Sequence, residues 1–156
     1  IYTLSLHDAL PIWSAEADME DYLFYDSKLA VNARELQSLY RYTEWGHSRS
    51  VEGIQAMIDG TSLCFSARHD DKLVGFCRII TDFVYRASLW DVIVHPAHQG
   101  RGLGGALADY ALTHPAIRNI PIVMAYTTGW MRFLRGRGFE TQRGLMMLMR
   151  CPIEYS

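Results

Sequence analysis

A chain of 156 residues, 49% of them apolar and with a formal net charge of −2, has the size and composition of one globular domain. That charge argues against an electrostatic nucleic-acid binder, and no apolar run reaches the ~18–20 residues that span a bilayer. The charge is uneven: eight basic and fourteen acidic residues precede His95, seven and three follow from it onward, an excess that suits an anionic ligand or reflects chance surface asymmetry.

The chain opens on Ile1–Ile12 (IYTLSLHDALPI), which has neither a basic start nor a small-residue cleavage site and so is a poor signal peptide. The string looks like translated sequencing-adapter readthrough from environmental (metagenomic) DNA. Residues 1–12 are expected to be a non-native leader, with His7 and Asp8 given no role, the true start missing, and residues 13–156 forming the domain. The cysteines, Cys64, Cys77 and Cys151, are odd in number and lack a CxxC pair. They read as reduced thiols of a cytoplasmic protein, with neither a disulfide framework nor a metal site.

Tyr22–Tyr25 predicts a short strand. Asn32 is placed to cap a helix reaching about Tyr42, with Leu36, Leu39 and Tyr40 as its apolar face. Thr43–Arg49 (TEWGHSR) reads as a linker. Ser50 opens a second helix through Ile58, closed by Asp59-Gly60. Leu63–Arg68 and Leu73–Thr81 predict a hairpin about the polar turn His69–Lys72. Asp82–Arg86 connects to a strand at Ser88–Val94, which His95-Pro96 stops. Leu103–Thr113 carries Leu103, Leu107, Tyr110 and Ala111 at helical spacing. Ile122–Tyr126 predicts a buried strand, Trp130–Arg137 a short helix and Leu145–Arg150 a last strand. The order β-α-α-β-β-β-α-β-α-β predicts a mixed α/β domain.

The chemistry concentrates in VIVHPAHQGRGLGGAL. Glycines between a strand and a helix permit unusual backbone angles, and successive N–H groups with the helix N-terminus can then hold linked phosphates. Gly100, Gly102 and Gly105 literally fit the dinucleotide pattern G-x-G-x-x-G. A His-Pro loop intervenes, however, and no acid lies ~20 residues on to hold a ribose. A P-loop is excluded because Ala106 follows Gly105 where Lys is required. A glycine-rich turn without a ligand is the bland alternative.

Gln99-Gly100-Arg101-Gly102-Leu103-Gly104 matches Q/R-x-x-G-x-G/A, preceded by V-x-P, and Arg137-Gly138-Phe139 follows at a matching distance. From about Tyr22 to Arg150 the chain resembles the GNAT N-acetyltransferase superfamily. The run VGFCRIITD…SLWDVIVHPAHQGRGLGGAL is most similar to plant and cyanobacterial serotonin-type N-acetyltransferases and to bacterial relatives. The resemblance implies a mixed, mostly antiparallel sheet flanked by helices, acetyl-CoA as acetyl donor without a metal, and direct transfer to a primary amine in a ternary complex. It implies that Val92, Ile93 and Val94 pair with the pantetheine arm, and that Gln99, Gly100, Arg101, Gly102, Leu103, Gly104, Gly105 and Ala106 form the pyrophosphate turn. The expected partner is a small-molecule amine, with no nucleic acid or membrane, and relatives commonly form homodimers. A protein lysine or N-terminal acetyltransferase and a catalytically weak CoA-binding regulator are the alternatives.

Acetylating an amine needs a proton acceptor. Asp91 is one candidate; a structural carboxylate paired with Arg78 is the other reading. His95 reads as a loop residue. The family's helix Tyr is replaced here by Leu134, and the acid that serotonin-type enzymes carry after the fifth strand by Thr127, leaving Tyr126 or water as proton donor. For the acceptor, Trp45 is placed to stack on an aromatic amine or to pack the helix pair, and Arg49 to meet an anionic group or the cofactor. Asp82 is read as a cation ligand or a turn-former, and Trp90 as part of the acceptor wall.

Overall fold

The computed structural model describes residues 19–127 and 129–142. They fall into two compact units that divide between Ala125 and Tyr126.

The first unit is built on a five-stranded sheet in the order β1-β2-β3-β4-β5: Leu23–Tyr25, Leu63–His69, Lys72–Thr81, Arg86–Val94 and Ile122–Ala125. Strands β1 to β4 pair antiparallel and β4 pairs with β5 in parallel, which bears out the mixed, mostly antiparallel sheet. The β2–β3 hairpin turns on Asp70 and Asp71, both with positive φ (48° and 60°), in the two-residue geometry that short polar side chains tolerate.

Both long strands read as nearly continuous apolar runs because both faces are covered. On one face Cys64 and Phe76 join a core with Leu36, Leu39 and Tyr40 of α1 (Ala33–Tyr40) and Ile54 and Ile58 of α2 (Val51–Gly60). On the other face lies α3 (Leu103–Leu112), where Cys77 Sγ lies 3.8 Å from the Leu107 carbonyl and the Phe65 and Tyr110 rings meet edge-on. Burial pushes the Cys64 thiol up to about 11 and raises the Cys77 thiol as well; both are free cysteines, inert in the core. A Cβ on Gly75 would stand 3.3 Å from that of Ala67 and 3.7 Å from Leu103, so this glycine lets α3 close onto the sheet.

The caps follow the sequence. Asn32 Oδ1 accepts from the N–H of Arg34 and Glu35, and Ser50 Oγ from that of Gly53. Two short 3-10 turns, Lys28–Ala30 and Pro96–His98, were not expected.

The second unit contains α4 (Met131–Arg135), opened by Thr127 Oγ1 accepting from the Trp130 N–H. It closes when Gly138 takes φ +82° and the Phe139 N–H returns to the Leu134 carbonyl. Arg137-Gly138-Phe139 therefore ends the helix as expected. The leader and the strand expected at Leu145–Arg150 lie outside the described residues.

Candidate active site

Strand β4 is interrupted at one point. Phe76 pairs with Ile93 and Arg78 with Trp90, so Asp91 and Val92 stand opposite the single residue Cys77. Asp91 takes φ +53°, a bulge geometry that Asp enters more easily than most residues. The pairing with β5 ends beside it, at Leu89 opposite Ala125. From Trp90 to Val94 the edge of β4 away from β3 has no strand partner among the described residues.

The bulge aims the Asp91 side chain into a network. Its Oδ2 accepts from Tyr40 Oη at 2.7 Å, Arg78 Nε at 2.8 Å and Arg49 Nη1 at 3.1 Å. Oδ1 makes no hydrogen bond among the described residues. Burial alone would raise this carboxyl's pKa, but Arg78, the Tyr40 hydroxyl and Arg49 outweigh it and hold the group below its ordinary value. Tyr40 shifts the other way: burial and the adjacent carboxylate keep its phenol protonated. Arg78 also reaches Thr61 Oγ1, and the Arg49 guanidinium lies 4.5 Å over the Tyr40 ring and 5.3 Å from that of Trp45.

Past Val94 the chain makes a 3-10 turn capped by His95 Nδ1, which accepts from the Ala97 N–H. Gln99 donates its side-chain amide to the Val94 carbonyl at 2.9 Å. Gly100 and Gly102 then take φ +76° and +84°. Nothing lies within 4 Å of a Cβ built on Gly100, so backbone angle, not space, requires glycine there. Gly102 is the N-cap of α3 and no side chain caps it, which leaves the first-turn N–H groups of Leu103, Gly104 and Gly105 without an intrahelical partner. Of the expected residues, Gln99 to Gly102 form the turn and Leu103 to Ala106 the first turn of α3.

The other candidates divide between the border of this network and places apart from it. Asp82 Oδ1 accepts from the N–H of Val84, Tyr85 and Arg86, which lowers its pKa and builds the β3–β4 loop, the turn-forming reading of this residue. Trp90 is half-buried and donates to Ser88 Oγ at 2.7 Å. Trp45, 55% exposed, packs edge-on against Tyr40. Tyr126 opens the second unit and is 56% exposed; Leu134 is buried. The sequence reading missed the hydroxyl of Tyr40, which looks like one more apolar position of α1. It also missed a ring cluster of Tyr22, His69, His95 and His98, in which the Tyr22 hydroxyl bonds His98 Nδ1 at 2.8 Å. Burial and the neighbouring cations lower the His98 pKa. Among the described residues no cluster of His, Cys, Asp and Glu has the form of a metal site, and no helix is long and apolar enough to cross a membrane.

A strand that bulges, loses one neighbour and leads through left-handed glycines into an uncapped helix is the architecture of an enzyme that moves acyl groups from a coenzyme A thioester. The chain belongs to the GNAT acetyltransferase family, whose model matches residues 30–139. It is 30% identical over 129 residues to the uncharacterized N-acetyltransferase ycf52-like of Prochlorococcus marinus, covering 79% of this chain and 71% of that protein. It spans about half the length of the ycf52 relatives from Gracilaria tenuistipitata var. liui and Pyropia yezoensis. A GNAT-family crystal structure from Xanthomonas campestris pv. campestris superposes with a TM-score of 0.74 at 26% identity, over 83% of this chain and 93% of that one. The aminoglycoside N-acetyltransferase AAC(6')-Iy in complex with CoA shares the fold, at a TM-score of 0.62 and 15% identity over 83% and 95%. The family uses acetyl-CoA. The left-handed glycines, the uncapped helix and the free β4 edge fit that donor.

Proposed function

We propose that this chain transfers an acetyl group to the primary amine of a small molecule by direct attack in a ternary complex. The observation that carries the proposal is the bulge at Asp91, which puts a carboxylate beside a strand edge unpaired among the described residues, eleven residues before the N-cap of the uncapped helix. Residues Gln99 to Ala106 would hold the pyrophosphate through backbone N–H groups, and Val92 to Val94 the pantetheine arm by strand addition. The donor, when bound, supplies an activated acetyl thioester.

The chain's own residues then orient the acceptor and handle protons. Asp91 Oδ1 accepts a hydrogen bond from the amine and passes its proton to water; a carboxylate held this acidic anchors an N–H better than it stores a proton. Trp45 and Trp90, each with exposed ring surface, wall the acceptor. For the proton on the leaving side the sequence offers Tyr126 or water, since Leu134, standing where relatives carry a Tyr, has no hydroxyl to give. That leucine also supports the second reading, a weakly catalytic CoA-binding regulator.

Thiol release from acetyl-CoA with a mixed amine panel, together with melting of the full chain with and without acetyl-CoA, tests the proposal. The expected result is a ligand-dependent rise in Tm and amine-dependent thiol release. Stabilisation without turnover by any amine establishes the regulator instead, and absence of both overturns the proposal.

A further inference from the structure

Two guanidinium groups face one carboxylate at the bulge, and the third partner, Tyr40, is a neutral phenol. Among the described residues no second acidic side chain pairs with Arg49 or Arg78. The cluster therefore holds one uncompensated positive charge.

The two arginines differ. Arg78, its side chain 13% exposed, directs Nε to Asp91 and Nη1 to Thr61 Oγ1, so it works as a strut within the fold. The Arg49 side chain is 34% exposed and gives only Nη1 to Asp91 and, weakly, to the Met57 sulfur at 3.6 Å. Its Nε and Nη2 donate no hydrogen bond among the described residues. Its Cζ lies 4.5 Å over the Tyr40 ring and 5.3 Å from that of Trp45, two rings set at 83° to each other, so the fork is packed from two sides before anything binds. A stacked guanidinium with unused N–H groups is matched to a planar oxyanion that can accept two parallel hydrogen bonds.

Beside that fork lies Asp91, its side chain 6% exposed, whose Oδ1 accepts no hydrogen bond among the described residues and so keeps its capacity for an amine N–H. Arg49 and Asp91 meet through Nη1 and Oδ2 at 3.1 Å, which leaves Nε and Nη2 of the one and Oδ1 of the other, on adjoining groups, for an anion and a cation. One small molecule presents both groups at such short range when its amine and carboxylate are carried on the same carbon atom. A simple amine leaves the fork unpaired, and a polycation meets an excess positive charge. The phosphates of the donor have their own cradle: Val94 follows Asp91 by three residues, about 10 Å along a strand, and the glycine turn lies beyond it.

Resting on the acetyltransferase reading above, we infer that the acceptor is an amine bearing an adjacent carboxylate, of the amino-acid class, and that Arg49 is the residue that selects it.

Matched pairs test this: tryptamine against tryptophan, phenethylamine against phenylalanine, histamine against histidine, each assayed with acetyl-CoA and the full chain. In at least one pair the wild-type kcat/KM is expected to favour the carboxylate-bearing member by roughly 10- to 100-fold, the scale of a charge-assisted bidentate contact. In R49Q that ratio falls toward one through a raised KM for the carboxylate member. R49K keeps the charge without the fork and recovers only part of the ratio. Because Arg49 is a third exposed, melting curves of both variants are expected to show folded protein, so a lost preference reads as lost recognition. Amine-dependent turnover that ignores the carboxylate, or a preference that survives in R49Q, overturns this inference alone. Acetyl-CoA binding with turnover of other amines but of no pair member overturns it alone, and binding with no turnover of any amine in the mixed panel overturns it in favour of the regulator. Failure to bind acetyl-CoA overturns the acetyltransferase reading with it.

Discussion

Two stretches of the same chain segment build the candidate site by opposite means. The bulge at Asp91 is made of side chains, with Tyr40 from α1, Arg49 from the linker before α2 and Arg78 from β3 converging on one carboxylate. The turn after it is made of backbone: left-handed Gly100 and Gly102, an uncapped helix start, and one side-chain tie from Gln99. The first depends on charges brought together by folding, the second on dihedral angles that contiguous residues set for themselves. The network at the bulge should therefore weaken when a charge is removed and the turn should fail when a side chain is added.

The largest effect is expected at the turn. Gly102→Val forces a β-branched residue to φ +84°, where even ordinary side chains cost about 1–2 kcal/mol, and places its bulk where phosphates would approach. Acetyl-CoA at a hundred times its Kd should stabilise wild-type protein by about 2.7 kcal/mol, and the variant should show none of this. Differential scanning fluorimetry with each protein referred to its own ligand-free Tm makes the comparison; a full shift in the variant would show that the turn is not the phosphate site.

Next comes Asp91→Asn. Asn adopts positive φ readily, so the bulge geometry survives and only the charge is lost. Two arginines then face a neutral amide. Removing one partner of a buried pair costs about 3–5 kcal/mol; Arg49 is partly solvated, so the lower end, about 3 kcal/mol, is expected by urea denaturation, with kcat falling more than acetyl-CoA affinity. The pH dependence has a fixed sign. The folded carboxyl titrates below its unfolded value near 3.8, so its contribution is present above that value and disappears as pH falls through the lower folded one. The stability gap between wild type and variant should hold from pH 7 to about 5 and close below about pH 4.

Tyr40→Phe is a milder attack on the same network. It removes one hydrogen bond to a charged group while Arg49 and Arg78 stay in place, and about 1.5 kcal/mol is expected in a urea melt. A neutral result would mean that the two arginines satisfy Oδ2 without the phenol.

The same contrast accounts for what was legible in advance. Asn32 and Ser50 reveal their caps because an N-cap is decided within three or four residues, and the β2–β3 turn is written in Asp70-Asp71. The glycine turn is likewise local. Tyr40 was read as plain core because its acceptor lies 51 residues away, and nothing in a helical period separates a phenol that packs from one that also donates. The rings of His69, His95 and His98 meet only because the β2–β3 hairpin and the end of β4 are neighbours in the sheet. Helix α4, Met131–Arg135, ends two residues short of the expected Arg137, and the left-handed Gly138 at φ +82° closes it. Strand β4 begins at Arg86, earlier than its β-branched run, because parallel pairing with Ile122 supplies the partner.

The smallest effect, and the sharpest test of the contrast, is at Gln99. Its amide nitrogen donates to the Val94 carbonyl, a side-chain brace that joins the His95 cap in an otherwise backbone-built turn. Gln99→Ala removes a single neutral hydrogen bond in a half-buried setting, worth about 1 kcal/mol. If the turn holds its shape through the glycine dihedrals and the start of α3, that loss should appear as a roughly fivefold weaker Kd for acetyl-CoA in isothermal titration calorimetry, since about 1 kcal/mol corresponds to that ratio. A loss as severe as that of Gly102→Val would mean that the Gln99 amide is required to form the turn, and the division between a side-chain bulge and a backbone cradle would have to be redrawn between Val94 and Gly100.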